Sequence, residues 1–276
     1  MTAPASKASA PQDVSSSPFL RFPFELALSG LIAVALVVIA EIAARNNWVT
    51  PLVLPAPSQI WAALIDGFAS GIYLDNTLST LWSVVVGFVL GAVVAVVLAG
   101  ILSSLPFLEK VITPFIVAFQ SMPKVAIAPL IIIWFGFGDV SKIVIVLTVC
   151  FFPILINALH GLKVRDRDHY ELFKSLGATR WQMFYRLRLP HAVPYIFAGL
   201  HIGVIFALIG TVVAEFVGSN TGVGYLMLQA KATFDTPAVY ACLLILMLMG
   251  MLLHFVMVQI ETRVAFWAND ITQANG

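Results

Sequence analysis

Long apolar runs separated by short polar stretches dominate the pattern of this sequence. Because an α-helix rises about 1.5 Å per residue, about 20 apolar residues cross a hydrocarbon core about 30 Å thick. Six runs have about this length, and they predict an all-α integral membrane protein with six transmembrane helices. The predicted spans are 26–44 (within a helix over about 25–45), 78–102, 111–135, 141–160, 191–217 and 237–260.

Polar residues and prolines interrupt the third run. Gln120, Ser121 and Lys124 surround Pro123, and Pro129 follows. Proline removes a backbone donor, and freed backbone groups at membrane depth persist only against protein or a water-filled cavity. We therefore predict a broken or kinked helix, at which Gln120, Ser121 and Pro123 either line a translocation pathway or form a purely structural kink. Lys124 either attracts anions or extends its ammonium group to the membrane interface.

The segments outside the predicted permease core, 78–262, are more polar. The N-terminal tail, 1–24, is rich in Ser, Ala and Pro, a composition typical of disorder. The external loop, 46–77, has apolar residues at helical spacing, which predict a short amphipathic helix on the membrane surface or against the bundle. These residues are Ile60, Trp61, Leu64, Ile65 and Phe68. Residues 263–276 are predicted to form a second tail.

The composition favours a bilayer as the solvent. The chain is 60% hydrophobic and 11% charged, whereas soluble domains are about 45–50% apolar and about 25% charged. The net charge of +1 offers no electrostatic argument for a nucleic-acid partner. Cys150 and Cys242 lie in apolar runs and are interpreted as packing residues. We predict no metal site, because no two histidines have metal-ligand spacing on one helix.

The basic residues predict the orientation in the membrane. With six spans, one side holds Lys7, Arg21, Lys110, Lys163, Arg165, Arg167, Lys174, Arg180, Arg186, Arg188 and Arg263. The other side holds only Arg45, Lys142 and Lys231, and Lys124 stays unassigned. Because Lys and Arg accumulate on the cytoplasmic side, both termini are predicted to be cytoplasmic.

The predicted cytoplasmic loop, 161–190, differs from the rest of the chain, because it holds seven of the fifteen basic residues. Asp168 and Glu171 have the spacing of a capping box, and Thr179 and Gln182 repeat it. Gly177 stands where a first helix would end in a left-handed residue. The pattern predicts a helix, a glycine turn and a second helix.

The same stretch of sequence also predicts where the second helix ends and which side chains form the apolar faces of the two helices. Pro190 is predicted to stop the second helix. Leu172, Phe173 and Leu176 share one side of the first helix, and the second carries Trp181, Phe184 and Leu187. These apolar faces dock either on the chain's own bundle or in a groove of a partner.

The same loop resembles a known family. The residues Glu171-Leu172-Phe173, Gly177 after three more, then Leu187 and Leu189-Pro190 have the spacing of the EAA loop of bacterial ABC importer permeases. In that pattern Leu172 and Phe173 replace two alanines, and Leu187 replaces isoleucine. The resemblance implies that 161–190 is the coupling loop. It also implies that ATPase coupling involves Glu171, Leu172, Phe173, Gly177, Ala178, Leu187, Leu189 and Pro190.

Further stretches resemble one subgroup, the nitrate, sulfonate and taurine permeases. They are 55–61, 120–124 with 128–130 and 134–136, and 214–218 with 222–225. The resemblance implies a type I importer fold in the bacterial inner membrane and a homodimer of permeases. It also implies a cytoplasmic ABC ATPase dimer and an external substrate-binding protein. The implied cargo is a sulfonate, taurine or nitrate-like anion, with a pyrimidine thiamine precursor or an aromatic acid as the alternative.

No phosphate-binding loop of the form G-x-x-x-x-G-K-[ST] occurs in the chain, so ATP and Mg are expected in the partner ATPase and no cofactor here. We therefore predict a transport subunit and not an enzyme. An intramembrane enzyme would need clustered nucleophiles and bases in the spans. A stand-alone channel or secondary carrier would need no coupling loop.

Glu215, near the outer end of the fifth span, has two interpretations. It is either a gate residue at the mouth of the pathway or an interfacial carboxylate bonded to the turn at 218–220.

Overall fold

The computed structural model describes the backbone of residues 21–163 and 167–267 and the side chains of 28–163 and 169–267. The regular elements in these ranges are helices: α1 (Arg21–Arg45), α2 (Pro57–Ala69), α3 (Ile72–Ser104), α4 (Pro106–Ser121), α5 (Ala128–Phe135), α6 (Asp139–Lys163), α7 (Arg167–Ser175), α8 (Arg180–Met183), α9 (Leu189–Gly218), α10 (Val223–Ala232) and α11 (Thr236–Val264). A 3₁₀ turn (Lys124–Ile127) precedes α5, and a π-helical turn (Phe184–Arg188) joins α8 to α9. Most of the two predicted tails, 1–20 and 268–276, lies outside the described residues.

Five helical segments of the described chain are long and apolar enough to cross a membrane. They are Leu28–Arg45, Ile72–Ser104, Asp139–Lys163, Arg180–Gly218 and Thr236–Val264. A sixth would be the pair Pro106–Ser121 and Lys124–Phe135, which is bent by 88°. The predicted all-α membrane fold is confirmed, and so is the break in the third span. The count of six spans stays a prediction, because it depends on counting the bent pair as one.

The break has a local cause. α4 ends at Ser121, and Met122 and Pro123 both have extended backbone angles. A residue before proline is pushed out of the α region, and proline itself has no N–H to continue the ladder. The chain therefore turns sharply before the 3₁₀ turn that leads into α5.

Helices α3, α6 and α9 form the core, where α6 packs between the other two. Small residues bring the helices close together. A Cβ atom at Gly87 would lie 2.6 Å from Cβ of Val146, and one at Gly203 would lie 2.7 Å from Cδ1 of Ile154. The pairs Gly87-x3-Gly91 and Gly199-x3-Gly203 thus pack against α6 of the same chain, as small residues often do in membrane helices.

The predicted external loop contains more helix than expected. α3 begins at Ile72, six residues before the predicted span, and therefore includes the end of the loop 46–77. The predicted amphipathic helix is α2, on which Ile60 and Leu64 pack against an apolar cluster whereas Trp61 and Ile65 are exposed. Between α9 and α11, the short helix α10 occupies most of the stretch 218–236.

The described residues from Arg21 to Ser58 form a unit of their own. Near the end of α1, Glu41 accepts hydrogen bonds from Nε of Arg45 (2.6 Å), the backbone N–H of Ser58 (3.0 Å) and the Ser58 hydroxyl (2.8 Å).

Candidate coupling site and translocation cavity

The loop between α6 and α9 folds as a helix, a glycine turn and a helix, as predicted. Gly177 has φ +75°, in the left-handed region that favours glycine. Its N–H donates to the Lys174 carbonyl (3.1 Å), and the Ala178 N–H donates to the Phe173 carbonyl (3.0 Å). These two bonds form a Schellman motif, which satisfies the last carbonyls of α7.

The second predicted capping box is confirmed at the start of α8. The Gln182 N–H donates to Oγ1 of Thr179 (3.3 Å), and the Thr179 N–H donates to Oε1 of Gln182 (2.9 Å). The two helices of the loop are therefore fixed by local bonds on both sides of the glycine turn. The predicted cap at Asp168 is displaced, because α7 begins at Arg167 and includes it; its side chain lies outside the described ones.

The prediction that Pro190 stops the second helix is wrong. The helix continues through Pro190, and Arg180–Gly218 is one continuous helical segment. The π-helical turn explains this, because the Leu189 N–H donates to the Phe184 carbonyl, five residues back instead of four. An α-helical turn would press the proline ring against the carbonyl of the residue four positions earlier. The wider turn accommodates the ring, and α8 is joined to α9 without a break.

The tip of this loop presents apolar side chains outward. Leu172 is 53% exposed and Leu176 75% exposed on the α7 side of Gly177, and Trp181 is 68% exposed on α8. Of the other residues predicted to couple to an ATPase, Glu171 is exposed, and Phe173, Ala178, Leu187, Leu189 and Pro190 are half-buried. Exposed apolar groups such as Leu172 and Leu176 are typical of a surface that a partner covers.

A cavity of about 480 Å³ lies beside the break between α4 and α5. Its polar lining consists of Gln120, Lys124 and Asn157. The apolar lining comes from the same break and from the middle of α6 and α9: Met122, Val125, Val149, Pro153, Ile156, Ile202, Phe206 and Ile209. Of the predicted pathway residues, Gln120 lines this cavity, whereas Ser121, Pro123 and Glu215 are not among its lining residues.

Lys124 is the charged group of this cavity. Its Nζ lies 5.2 Å from the ring centre of Phe152 and 5.8 Å from that of Phe206, within the range of cation–π attraction. Within the described residues it forms no ion pair with a carboxylate.

Sequence reasoning missed the opposite wall of the cavity. The wall is formed by Pro153 and Asn157 on α6, where Nδ2 of Asn157 donates a hydrogen bond to the Pro153 carbonyl (2.8 Å). The amide oxygen of Asn157 remains as an acceptor beside the cavity. A proline four residues before an asparagine in an apolar span is the signal that could have identified this wall.

Glu215 lies at the opposite end of the core from the coupling loop, in a buried polar network. Glu215 is 1% exposed. Its carboxylate accepts hydrogen bonds from the Thr80 hydroxyl and the Gly224 N–H, both 2.8 Å. Thr80 also accepts from the Val223 N–H (2.8 Å). The interpretation of Glu215 as an interfacial carboxylate bonded to the turn at 218–220 is therefore wrong. Glu215 instead ties α9 to α3 and to the start of α10.

A buried lysine completes this end of the core. Lys142 on α6 is 1% exposed, and its Nζ lies 2.8 Å from Oδ1 of Asp139. It also donates to Ser79 (3.4 Å) and Thr221 (3.3 Å). The network therefore connects α3, α6 and the turn before α10, and it gives both buried charged residues of this region polar partners.

Comparison with known proteins agrees with this architecture. Residues 87–266 match the family described as binding-protein-dependent transport system inner membrane component. The chain is 36% identical over 232 residues to the formylaminopyrimidine transport permease protein ThiX of Halalkalibacterium halodurans, covering 84% of this chain and 92% of that protein. It is 29% identical over 244 residues to the putative aliphatic sulfonates transport permease protein SsuC of Bacillus subtilis, covering 88% of each.

A solved structure shares the fold. It is described as an inward facing conformation of the MetNI methionine ABC transporter, and it aligns with a TM-score of 0.62 at 19% identity. The alignment covers 71% of this chain and 97% of that chain. The family match spans well over half of the sequence, and the relatives match over most of their length. This chain belongs to the family of inner membrane components of binding-protein-dependent transport systems, the permease subunits of ABC importers.

Proposed function

We propose that the chain is the permease of an importer that moves a small anion inward across the cytoplasmic membrane. Two copies would form the pathway, with a cytoplasmic ABC ATPase dimer that binds ATP and Mg on one side. A substrate-binding protein would deliver the cargo on the other side. The excess of Lys and Arg at the coupling-loop end supports a cytoplasmic position for that end and for both termini.

The geometry of the coupling loop supports the proposal that the chain has an ATPase partner. Its exposed apolar tip, Leu172 and Leu176, has the character of a side-chain knob that fits a groove of another protein. Its caps hold the two helices in one arrangement, and the second helix runs on into α9. Closure of the ATPase would therefore move the loop and bias the bundle between inward-open and outward-open states.

The cavity at the helix break supports an anionic cargo. Lys124 offers a positive charge, and the amide groups of Gln120 and Asn157 flank the same space. Broken helices are common places for membrane binding sites, because backbone and side-chain polar groups meet there at depth. This arrangement favours a small sulfonate or a similar oxyanion over a cation.

A neutral pyrimidine precursor is the second candidate cargo. The relative from Halalkalibacterium halodurans is named for formylaminopyrimidine transport. The rings of Phe152 and Phe206 beside Lys124 give the cavity aromatic surfaces on which a heterocycle can stack. The two candidates differ in whether they need the charge of Lys124.

Lys124→Gln is expected to separate them. An anion loses a charge-assisted hydrogen bond, so uptake of taurine or ethanesulfonate should fall about tenfold. A neutral aminopyrimidine should be carried as well as before. Uptake is measured in proteoliposomes that hold the assembled transporter. Lys110→Gln, the same change at an exposed lysine of α4, is the control and should have no effect. Unchanged anion uptake by Lys124→Gln would contradict the anionic assignment.

Reconstitution tests the function as a whole. Liposomes with the permease alone should not accumulate solute, whereas permease, ATPase and binding protein together should do so when ATP is present. Accumulation by this polypeptide alone would identify it as a channel or carrier and would overturn the proposal.

A further inference from the structure

A second large concavity lies at the coupling-loop end of the core, separate from the cavity beside the break between α4 and α5. It is a groove of about 740 Å³ between the last third of α3 and the start of the coupling helix α8. One wall is aliphatic, and the other carries three aromatic side chains. Its lining residues are Val96, Val97, Gly100, Ile101, Ser104, Leu105, Leu162, Arg180, Trp181, Phe184, Tyr185, Leu189 and Ile196.

The aliphatic wall continues the membrane-facing side of α3. Exposed aliphatic residues recur along this helix every four positions, and the last two of them enter the groove: Val85, Val89, Val93, Val97 and Ile101. Residues four apart lie on one face of a helix. From Val89 to Ile101 the stripe is about 18 Å long, which is close to the thickness of one leaflet of hydrocarbon. The aliphatic wall of the groove is therefore continuous with the exposed apolar face of α3.

The aromatic wall has the chemistry of the membrane–water boundary. Trp181 stacks on Phe184 with ring centres 6.2 Å apart and tilts against Tyr185 at 4.6 Å. Phe184 reaches towards Gly100, where an added Cβ would lie 3.6 Å from its ring. Trp and Tyr prefer the headgroup level of a bilayer, because their rings are amphipathic. Two aromatic rings of this cluster, Trp181 and Tyr185, are largely exposed, as this position requires.

Arg180 places a positive charge at the polar end of the groove. It is exposed and forms no ion pair with any side chain that the structure describes. The nearby Lys163 is already paired with Glu109. A guanidinium group binds phosphate oxygens in a bidentate manner, so Arg180 suits a phosphodiester better than a neutral group.

We propose that this groove is a binding site for one anionic glycerophospholipid, phosphatidylglycerol being the probe. An acyl chain lies along Val97 and Ile101, the aromatic cluster covers it, and Arg180 contacts the phosphate. The lipid thereby supports α8, which belongs to the coupling loop. Of the possible occupants, lipid is favoured because the groove is continuous with the membrane-facing stripe and its charge is complementary to anionic headgroups.

Native mass spectrometry of the full-length chain, purified with its co-purifying subunits, tests the site. Wild type equilibrated with equal amounts of phosphatidylglycerol and phosphatidylcholine should retain the anionic lipid about fivefold better, the gain expected from one basic residue near a headgroup. Arg180→Gln should abolish this preference. Gly100→Leu, which fills the groove, should lower retention of both lipids. If Gly100→Leu is not recovered from membranes, Arg180→Gln still decides, because it changes an exposed side chain.

The matched control is Arg263→Gln at the end of α11, an exposed arginine outside the groove. It removes the same charge and should keep the wild-type preference. Equal losses in Arg180→Gln and Arg263→Gln would show that bulk charge attracts the lipid, and the proposal would fail. Equal retention of the two lipids by wild type would also overturn it.

Discussion

Gly177→Pro is expected to abolish ATP-driven uptake while leaving the protein in the membrane. Gly177 has φ +75°, whereas proline is confined to about −65°. Proline would also remove the N–H that donates to the Lys174 carbonyl. Forcing proline into this turn costs about 3 kcal/mol or more, so the native arrangement of α7 and α8 would be populated at about one per cent. The measurements are uptake in proteoliposomes and retention of the ATPase during purification.

The control at the same position is Gly177→Asn. Asparagine tolerates the left-handed region, so this variant should keep the turn and most of the uptake. Because Gly177 lies at the surface of the loop, a Cβ there meets no neighbouring atom within 4 Å. Normal uptake by Gly177→Pro would contradict the role of the loop in coupling. Loss of uptake in both variants would instead indicate that any side chain at the tip blocks docking.

Glu215→Ala is expected to destabilise the folded chain strongly. The change leaves two buried donors, the Thr80 hydroxyl and the Gly224 N–H, without their acceptor. Each buried polar group left unsatisfied costs about 1–3 kcal/mol, so the total for the two donors is about 2–6 kcal/mol. At about 2–4 °C per kcal/mol, the apparent Tm in detergent should fall by about 4–24 °C. Thermal unfolding of the purified protein provides the measurement.

Two variants frame this result. Glu215→Gln keeps one acceptor oxygen but turns an NH₂ group towards a donor, so it should fall between wild type and Glu215→Ala. Asp66→Ala removes a carboxylate from an exposed position on α2 and should leave the Tm unchanged. If Glu215→Ala melts like wild type but loses transport, the carboxylate acts as a gate and not as a clamp between helices.

Local rules predicted the parts of this protein that depend on neighbours in the sequence. Apolar run length located the membrane helices, because hydrocarbon thickness fixes how many residues must be apolar. The glycine turn and the capping box at Thr179 followed from bonds between residues three to five apart. The two prolines near Gln120 predicted the break, although its 88° bend depends on packing that no local pattern encodes.

The predictions that were wrong concern features that depend on residues far apart in the sequence or on one extra residue in a helical turn. Glu215 bonds to Thr80, which is 135 residues away in the sequence, so a reading of its own helix pointed to the wrong partner. The sequence predicts that Pro190 ends a helix. The helix continues because the preceding turn is π-helical and holds one residue more than an α-helical turn. The cavity joins Lys124 to Asn157 and Phe206 from two other helices, and only the fold brings them together.

The uninterrupted run from Arg180 to Gly218 has a mechanical consequence. At the rise of an α-helix its 39 residues would extend about 58 Å, nearly twice the thickness of the hydrocarbon core. A tilt of about 5° at one end sweeps the other end through about 5 Å, roughly the pitch of one helical turn. Motion on this scale is comparable to the diameter of a small solute, so under the proposed coupling a small displacement of the loop would widen or narrow the opposite end of the bundle.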